Sequence, residues 1–180
     1  KKYNNMKNIV ATLSLLFATT LSAQVAIGKT SISSPAVSLE FYDNADNTRG
    51  IILPWVTSTA AVTGAVNGTL VYNTADRKVY VKYASGWRDL SVDNTGTVTT
   101  TLQDSLTDQD TAKVLIGGDP ATDTTPGILV LADTNKAMVL PKVASPHLNI
   151  VNPSPGMMVY DTTKKQLAVF NGTVWSFWKP

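Results

Sequence analysis

One stretch of about twenty residues occurs twice in this chain, and no other feature limits its architecture as much. The run Gly156–Trp175 repeats Gly68–Trp87 at a constant separation of 88 residues, with Gly68/Gly156, Val71/Val159, Tyr72/Tyr160, Thr74/Thr162 and Trp87/Trp175 in register. A fixed separation kept over that length marks an internal repeat, so the rest of the chain is read as what leads into the two copies.

Each copy has the pattern of a small antiparallel meander. In the second, Met157–Tyr160 is apolar, Asp161–Lys165 is turn material, Gln166–Phe170 alternates, Asn171-Gly172 follows, and Trp175–Trp178 alternates again. Asn-Gly is expected to supply the positive-φ positions of a tight hairpin turn. The first copy runs through Leu70–Tyr72, a turn over Asn73–Arg77, Val79–Tyr83, a turn at Ser85-Gly86, and Trp87–Leu90. Tyr72, Trp87, Tyr160 and Trp175 recur and are the expected packing anchors.

Period-two geometry sets Val79, Val81 and Tyr83 on one face and Tyr80 and Lys82 on the other, so neither face is plainly polar. Three strands of this size lie near the lower limit of independent stability and must be covered. The cover can come from the other repeat, from flanking segments or from identical chains. The residues are read here as meanders whose faces neighbouring polypeptides cover.

The repeat extends upstream of the meanders. Val25-Ala26-Ile27-Gly28 and Val37–Phe41 lead into the first, and Val114-Leu115-Ile116-Gly117 and Ile128–Leu131 lead into the second. Gly50–Val56 and Ala137–Val143 are apolar runs that Leu-Pro interrupts at matching places, Pro54 and Pro141. Proline cannot donate to a sheet ladder, so each run should lie at an edge, end, or bend there. This divides the chain into a first β repeat at 24–90, a linker at 91–113 and a second β repeat at 114–180. Ser91–Gly127 carries six aspartates against Lys113 alone, which makes the junction acidic.

Residues 1–23 have the pattern of an export signal, with Lys7 after Met6, a mostly apolar Ile9–Phe17 and Leu21-Ser22-Ala23 before Gln24. Met6 is the expected start, and residues 1–5 are read as preceding it. Removing Lys1, Lys2 and Lys7 leaves twelve basic residues against thirteen acidic, about −1 instead of the full chain's +2. The remaining chain has no basic excess to bind nucleic acid. Cysteine is absent, which excludes disulfides, cysteine nucleophiles and cysteine zinc sites.

Catalytic chemistry is not assembled by any pattern. His147 is the sole histidine and lies in loop-like Ser145-Pro146-His147-Leu148; Glu40 is the sole glutamate. No catalytic residue and no cofactor is assigned. Asp104, Asp108 and Asp110 are weak calcium candidates whose spacing fits no EF-hand loop, and a solvated acidic spacer is the preferred reading. Trp55 and Trp178 do not recur in the other copy, so they are the candidates for an interface or for stacking on a sugar ring, with a contact preferred. Asn-Gly-Thr at 67–69 and 171–173 fits an N-glycosylation triplet, and several Asp-Thr/Ser triplets fit a bacterial O-glycosylation pattern; turn chemistry accounts for the former.

The series Val25-Ala26-Ile27-Gly28-Lys29-Thr30, Gly50-Ile51-Ile52-Leu53-Pro54, Gly68–Thr74 and Gly86-Trp87 resembles a repeated unit of secreted proteins of Gram-negative bacteria. It is also similar to segments of phage tail-fibre proteins, as is Gly156–Trp175 with its Tyr160-Asp161-Thr162-Thr163 and Phe170–Trp175. The resemblance implies an all-β, homotrimeric surface or fibre-like protein in which neighbouring chains complete each other's sheets. The expectation is therefore a secreted or cell-surface structural module, adhesin-like and without catalysis, associating with itself. A carbohydrate-binding module using an exposed tryptophan is the alternative, and a hydrolase a remote third.

Overall fold

The computed structural model of the protein describes residues 24–179 apart from 108 and 110. The expected export signal at 1–23 and two of the calcium candidates, Asp108 and Asp110, lie outside the described residues. The first repeat holds β1 (Val25–Ile27), β2 (Val37–Phe41), β3 (Ile51–Ile52), β4 (Trp55–Val56), β5 (Leu70–Asn73), β6 (Lys78–Tyr83) and β7 (Gly86–Asp89). The second holds β8 (Val114–Ile116), β9 (Leu129–Leu131), β10 (Ala137–Val139), β11 (Lys142–Val143), β12 (Met157–Asp161), β13 (Gln166–Phe170) and β14 (Trp175–Trp178). Among the described residues helix is confined to a 3-10 turn, Thr59–Ala61, and one α-turn, Pro146–Asn149, at corresponding places of the two repeats. His147 therefore lies on a helical turn, where a loop was expected; Pro146 sets the first helical φ.

The meanders form as their alternation predicts. β5–β6–β7 and β12–β13–β14 are antiparallel throughout, with Tyr72 opposite Val79 and Tyr160 opposite Leu167. Each first hairpin turns on an Asx residue, Asn73 or Asp161, and closes with a non-glycine residue in left-handed backbone, Arg77 (φ 63°) or Lys165 (φ 54°).

The Asn171-Gly172 turn differs from the expected tight hairpin. Residues 171–174 join β13 to β14, and of these Gly172 alone has positive φ, 105°. The Asn171 Oδ1 accepts from the Thr173 and Val174 N–H groups at 2.9 and 2.8 Å, so the side chain shapes the loop, and no second positive φ is needed.

Each Leu-Pro pair is a corner between sheets. β3 pairs with β12 while β4, beyond Leu53-Pro54, pairs with β5; β10 pairs with β2 while β11, beyond Leu140-Pro141, pairs with β12. β4 adds to β5 and β11 to β12 in parallel, as do β1 on β2 and β8 on β9, whereas β3 adds to β12 antiparallel, so the repeats are not purely antiparallel.

The cover over the meanders comes largely from the other repeat of the same chain. Leu53, Tyr72, Val79 and Leu90 of the first repeat form one core with Met158 and Val169 of the second. Val79 and Val169 are buried within one chain, against the expectation that neighbouring polypeptides cover them, because the two meanders pack on each other. The far face of the second meander, Met157, Val159, Ala168 and Phe170, packs on Val143 and Ile150 around the helical turn, with Trp175 beside Phe170. Apolar exposure persists at strand edges and includes Ile52, Val114, Ile128 and Leu129.

Candidate self-association surface

The seam between the repeats consumes three of the six aromatic side chains expected to bind or to anchor. Trp55 donates its Nε1–H to the Pro155 carbonyl at 2.9 Å and lies 6.1 Å, centroid to centroid, from Tyr72. Tyr72, fully buried, donates its hydroxyl to the Asn171 carbonyl at 2.7 Å. Trp178 donates to the Leu90 carbonyl at 2.7 Å, and the Arg88 guanidinium lies 5.4 Å from its ring. Each indole of this pair thus bridges first repeat to second. Of the other anchors, Trp175 packs at 5.2 Å on Phe170, while Trp87 and Tyr160 are half-buried.

The start of the acidic linker is docked, which its composition did not reveal. Asn171 donates Nδ2 to Asp93 Oδ1 at 3.1 Å, Thr173 donates to the Thr95 carbonyl, and Thr97 to the Gly172 carbonyl. Gly96 lies so close that a Cβ there would overlap the Asn171 carbonyl. The only sequence signal was turn chemistry, Asp93-Asn94-Thr95-Gly96, able to meet the Asn-Gly-Thr turn.

Glu40, the sole glutamate, is fully buried on β2. Its Oε2 accepts from the Ser33 N–H at 2.7 Å and its Oε1 lies 2.9 Å from Lys29 Nζ, which also reaches Asp43; Lys142 of the second repeat meets Asp43 at 3.3 Å. Burial pushes the Glu40 carboxyl up, but the Ser33 N–H and the Lys29 ammonium outweigh it and hold it below the ordinary value. Asp161 behaves alike, its burial overcome by the backbone N–H groups of Lys164, Ser145 and Thr163. Asp43 is lowered by Lys29 first.

These three carboxyls give a pH prediction with a definite sign. A depressed carboxyl stabilises the fold fully above its unfolded value, about 4, and that stabilisation is lost as pH falls through the folded value. The urea midpoint should therefore be level from neutrality to about pH 5 and decline steadily below about pH 4. Burial pushes the Tyr72 phenol up to about 12, so a second decline should begin near pH 10, where the unfolded phenol ionises first.

The remaining candidates are dispersed. His147 is exposed and meets Phe177 edge-on at 5.7 Å. Asp104 is exposed, and among the described residues no group of three or more His, Asp or Glu gathers for a metal. Asp123 pairs with Lys113 and Asp119 caps the Ala121 N–H, so both serve their own loop. An open groove of about 550 Å³ is lined by Phe41, Tyr42, Asp46, Arg49 and Pro141, with the Tyr42 hydroxyl donating to Asp46 Oδ1 at 2.8 Å. Among the described residues no helix is long and apolar enough to cross a membrane.

What the fold leaves unpaired is a strand edge. β2 and β9 occupy equivalent places, each parallel to the strand that opens its repeat. β2 is covered on its second edge by β10, and Leu39 is 1 % exposed; among the described residues β9 has no strand there, and Leu129 is 48 % exposed. The first repeat places Glu40 in this strand, whereas Leu129-Val130-Leu131 is apolar at every position, the composition of a strand covered on both faces. An apolar edge with unused N–H and C=O groups is a template for another chain.

Residues 119–179 match the family described as a phage tail like trimerisation region, which bears out the resemblance to phage tail-fibre segments in the second repeat. The match contains β9 through β14 and thus the unpaired edge. Over these residues the chain is similar to a structural, fibre-like module of a self-associating kind. No curated protein and no solved structure matches the chain.

Proposed function

We propose that this chain is an exported, non-enzymatic structural protein that assembles as a homotrimer and serves as a fibre- or adhesin-like module at the surface of a Gram-negative bacterium. One observation carries the reading: the segment similar to a phage-tail trimerisation region contains an apolar strand, Leu129–Leu131, with an open edge. Export is supported by the signal pattern of residues 1–23, and a non-catalytic role by the dispersal of His147, Glu40 and the aspartates among structural contacts. The use of both indole N–H groups in internal bonds favours contact over glycan stacking for Trp55 and Trp178.

The test is the mass in solution of residues 24–180. Light scattering after gel filtration is expected to give three times the chain mass at micromolar concentration. A stable monomer there overturns the reading. Cell fractionation tests the location: the expected result is protein in the surface or culture fraction with residues 1–23 removed, and cytoplasmic protein retaining them overturns it.

A further inference from the structure

We infer that the open edge of β9 is completed by β3 of a second copy of this chain, and that the same contact sets β10 of the first copy against β5 of the second. The inference rests on the self-association reading above and adds which strands meet and in what register.

The two halves of one chain already make this contact. β10 of the second repeat lies parallel on β2 of the first, Met138 opposite Leu39 and Val139 opposite Glu40. β3 of the first repeat lies antiparallel on β12 of the second, Ile52 opposite Met157 and Ile51 opposite Met158. A strand ending in Leu-Pro therefore has two kinds of partner, the leading strand of one repeat and the first meander strand of another. Within the chain each Leu-Pro strand uses one.

The backbone groups left over are complementary. The Leu53 N–H bonds to the Gly156 carbonyl, so Leu53 and Ile51 face β12, and Ile52, 53 % exposed, turns its N–H and C=O to the vacant edge. On β10 the Ala137 N–H bonds to the Ala36 carbonyl, so Ala137 and Val139 face β2 and Met138 turns outward.

The vacant acceptors match. The Val114 N–H bonds to the Ile128 carbonyl and the Ala132 N–H to the Ile116 carbonyl, so even-numbered residues of β9 face β8 and Leu129 and Leu131 face away. On β5 the Tyr72 N–H bonds to the Pro54 carbonyl, which sets Leu70 toward the same edge, but β4 pairs only with Tyr72 and Asn73.

The register follows from the repeat. Val25 opposite Leu39 corresponds to Val114 opposite Leu129, Ile51-Ile52 correspond to Met138-Val139, and Thr69-Leu70 to Met157-Met158. In the second copy Ile52 then sits opposite Val130 in parallel, bonding to Leu129 and Leu131, and Leu70 sits opposite Met138 in antiparallel. Both pairings meet the unused groups without breaking a bond inside either chain. Such a contact is heterologous, one face of each copy on a different face of the next, and a ring of three copies pairs these edges of β3, β5, β9 and β10 in every copy.

The chain has no cysteine, so introduced thiols report alone. Residues 24–180 carrying Ile52→Cys and Val130→Cys, treated with a short bifunctional thiol reagent, should give a covalent trimer on a denaturing gel. The pair Val139→Cys and Val130→Cys, which would report second repeats joining one another, should stay monomeric on that gel. If the second pair links and the first does not while light scattering still gives a trimer, the strand assignment is overturned and the trimer stands. A monomer by light scattering in the unsubstituted chain removes both. Ile52→Pro deletes an N–H that the chain itself does not use, so it should weaken assembly at least about tenfold with an unchanged far-ultraviolet spectrum. Trimerisation at unchanged concentration in that variant also overturns the assignment.

Discussion

Tyr72→Ala should destabilise the protein by roughly 4 kcal/mol, a large part of what holds a domain of this kind together. The ring is fully buried in the core shared by the two meanders, touching the region of Trp55, and its removal leaves a cavity between elements that cannot close without separating the repeats. The hydroxyl adds a distinct contribution. It holds the Asn171 carbonyl, in the loop whose side chain in turn holds Asp93 of the linker. Tyr72→Phe keeps the volume and loses that bond, so it should cost only about 1 kcal/mol. Urea unfolding at a fixed protein concentration measures both, since association adds to apparent stability by mass action. Equal losses in the two variants would mean that the hydroxyl, and not the packed ring, carries the seam.

Lys29→Met should cost about 3 kcal/mol, because it strands a buried carboxylate. Glu40 has no exposure of its own, and Ser33 alone would remain to compensate it. The loss should be greatest near neutrality and shrink as pH falls and Glu40 protonates, since the neutral acid no longer needs the ammonium. Adding Glu40→Leu to the same chain should restore most of the stability, as a hydrophobic replacement of a buried pair is often neutral or better. Val130 occupies the equivalent position of the second repeat and is apolar. A double variant as unstable as the single one would refute this account.

The linker and the tryptophans show where local reading stops. Ser91–Thr97 is polar and acidic, the composition of a solvated spacer, yet Gly96 is pressed on the Asn171 loop and Val92 donates to the Ser176 hydroxyl. Trp55 and Trp178, singled out because they do not recur, turn out to lock one repeat to the other, which is why the two positions need not be alike. Neither fact has a local signature, because each depends on what a residue some eighty to a hundred positions away happens to offer.

The residues alone settled the elements of this protein: two copies, three-stranded meanders in each, turns at Asn73 and Asp161, and breaks at Pro54 and Pro141. These depend on period-two alternation, turn chemistry and proline's missing donor, all of which act over a few positions. The tertiary structure decided the partners: that the meanders cover each other, that the Leu-Pro corners pass strands from one sheet to another, and that among the described residues β2 is sealed while β9 is left open. Alternation says which face of a strand must be hidden, but not what hides it, and a backbone edge carries no residue code for the strand that will lie along it.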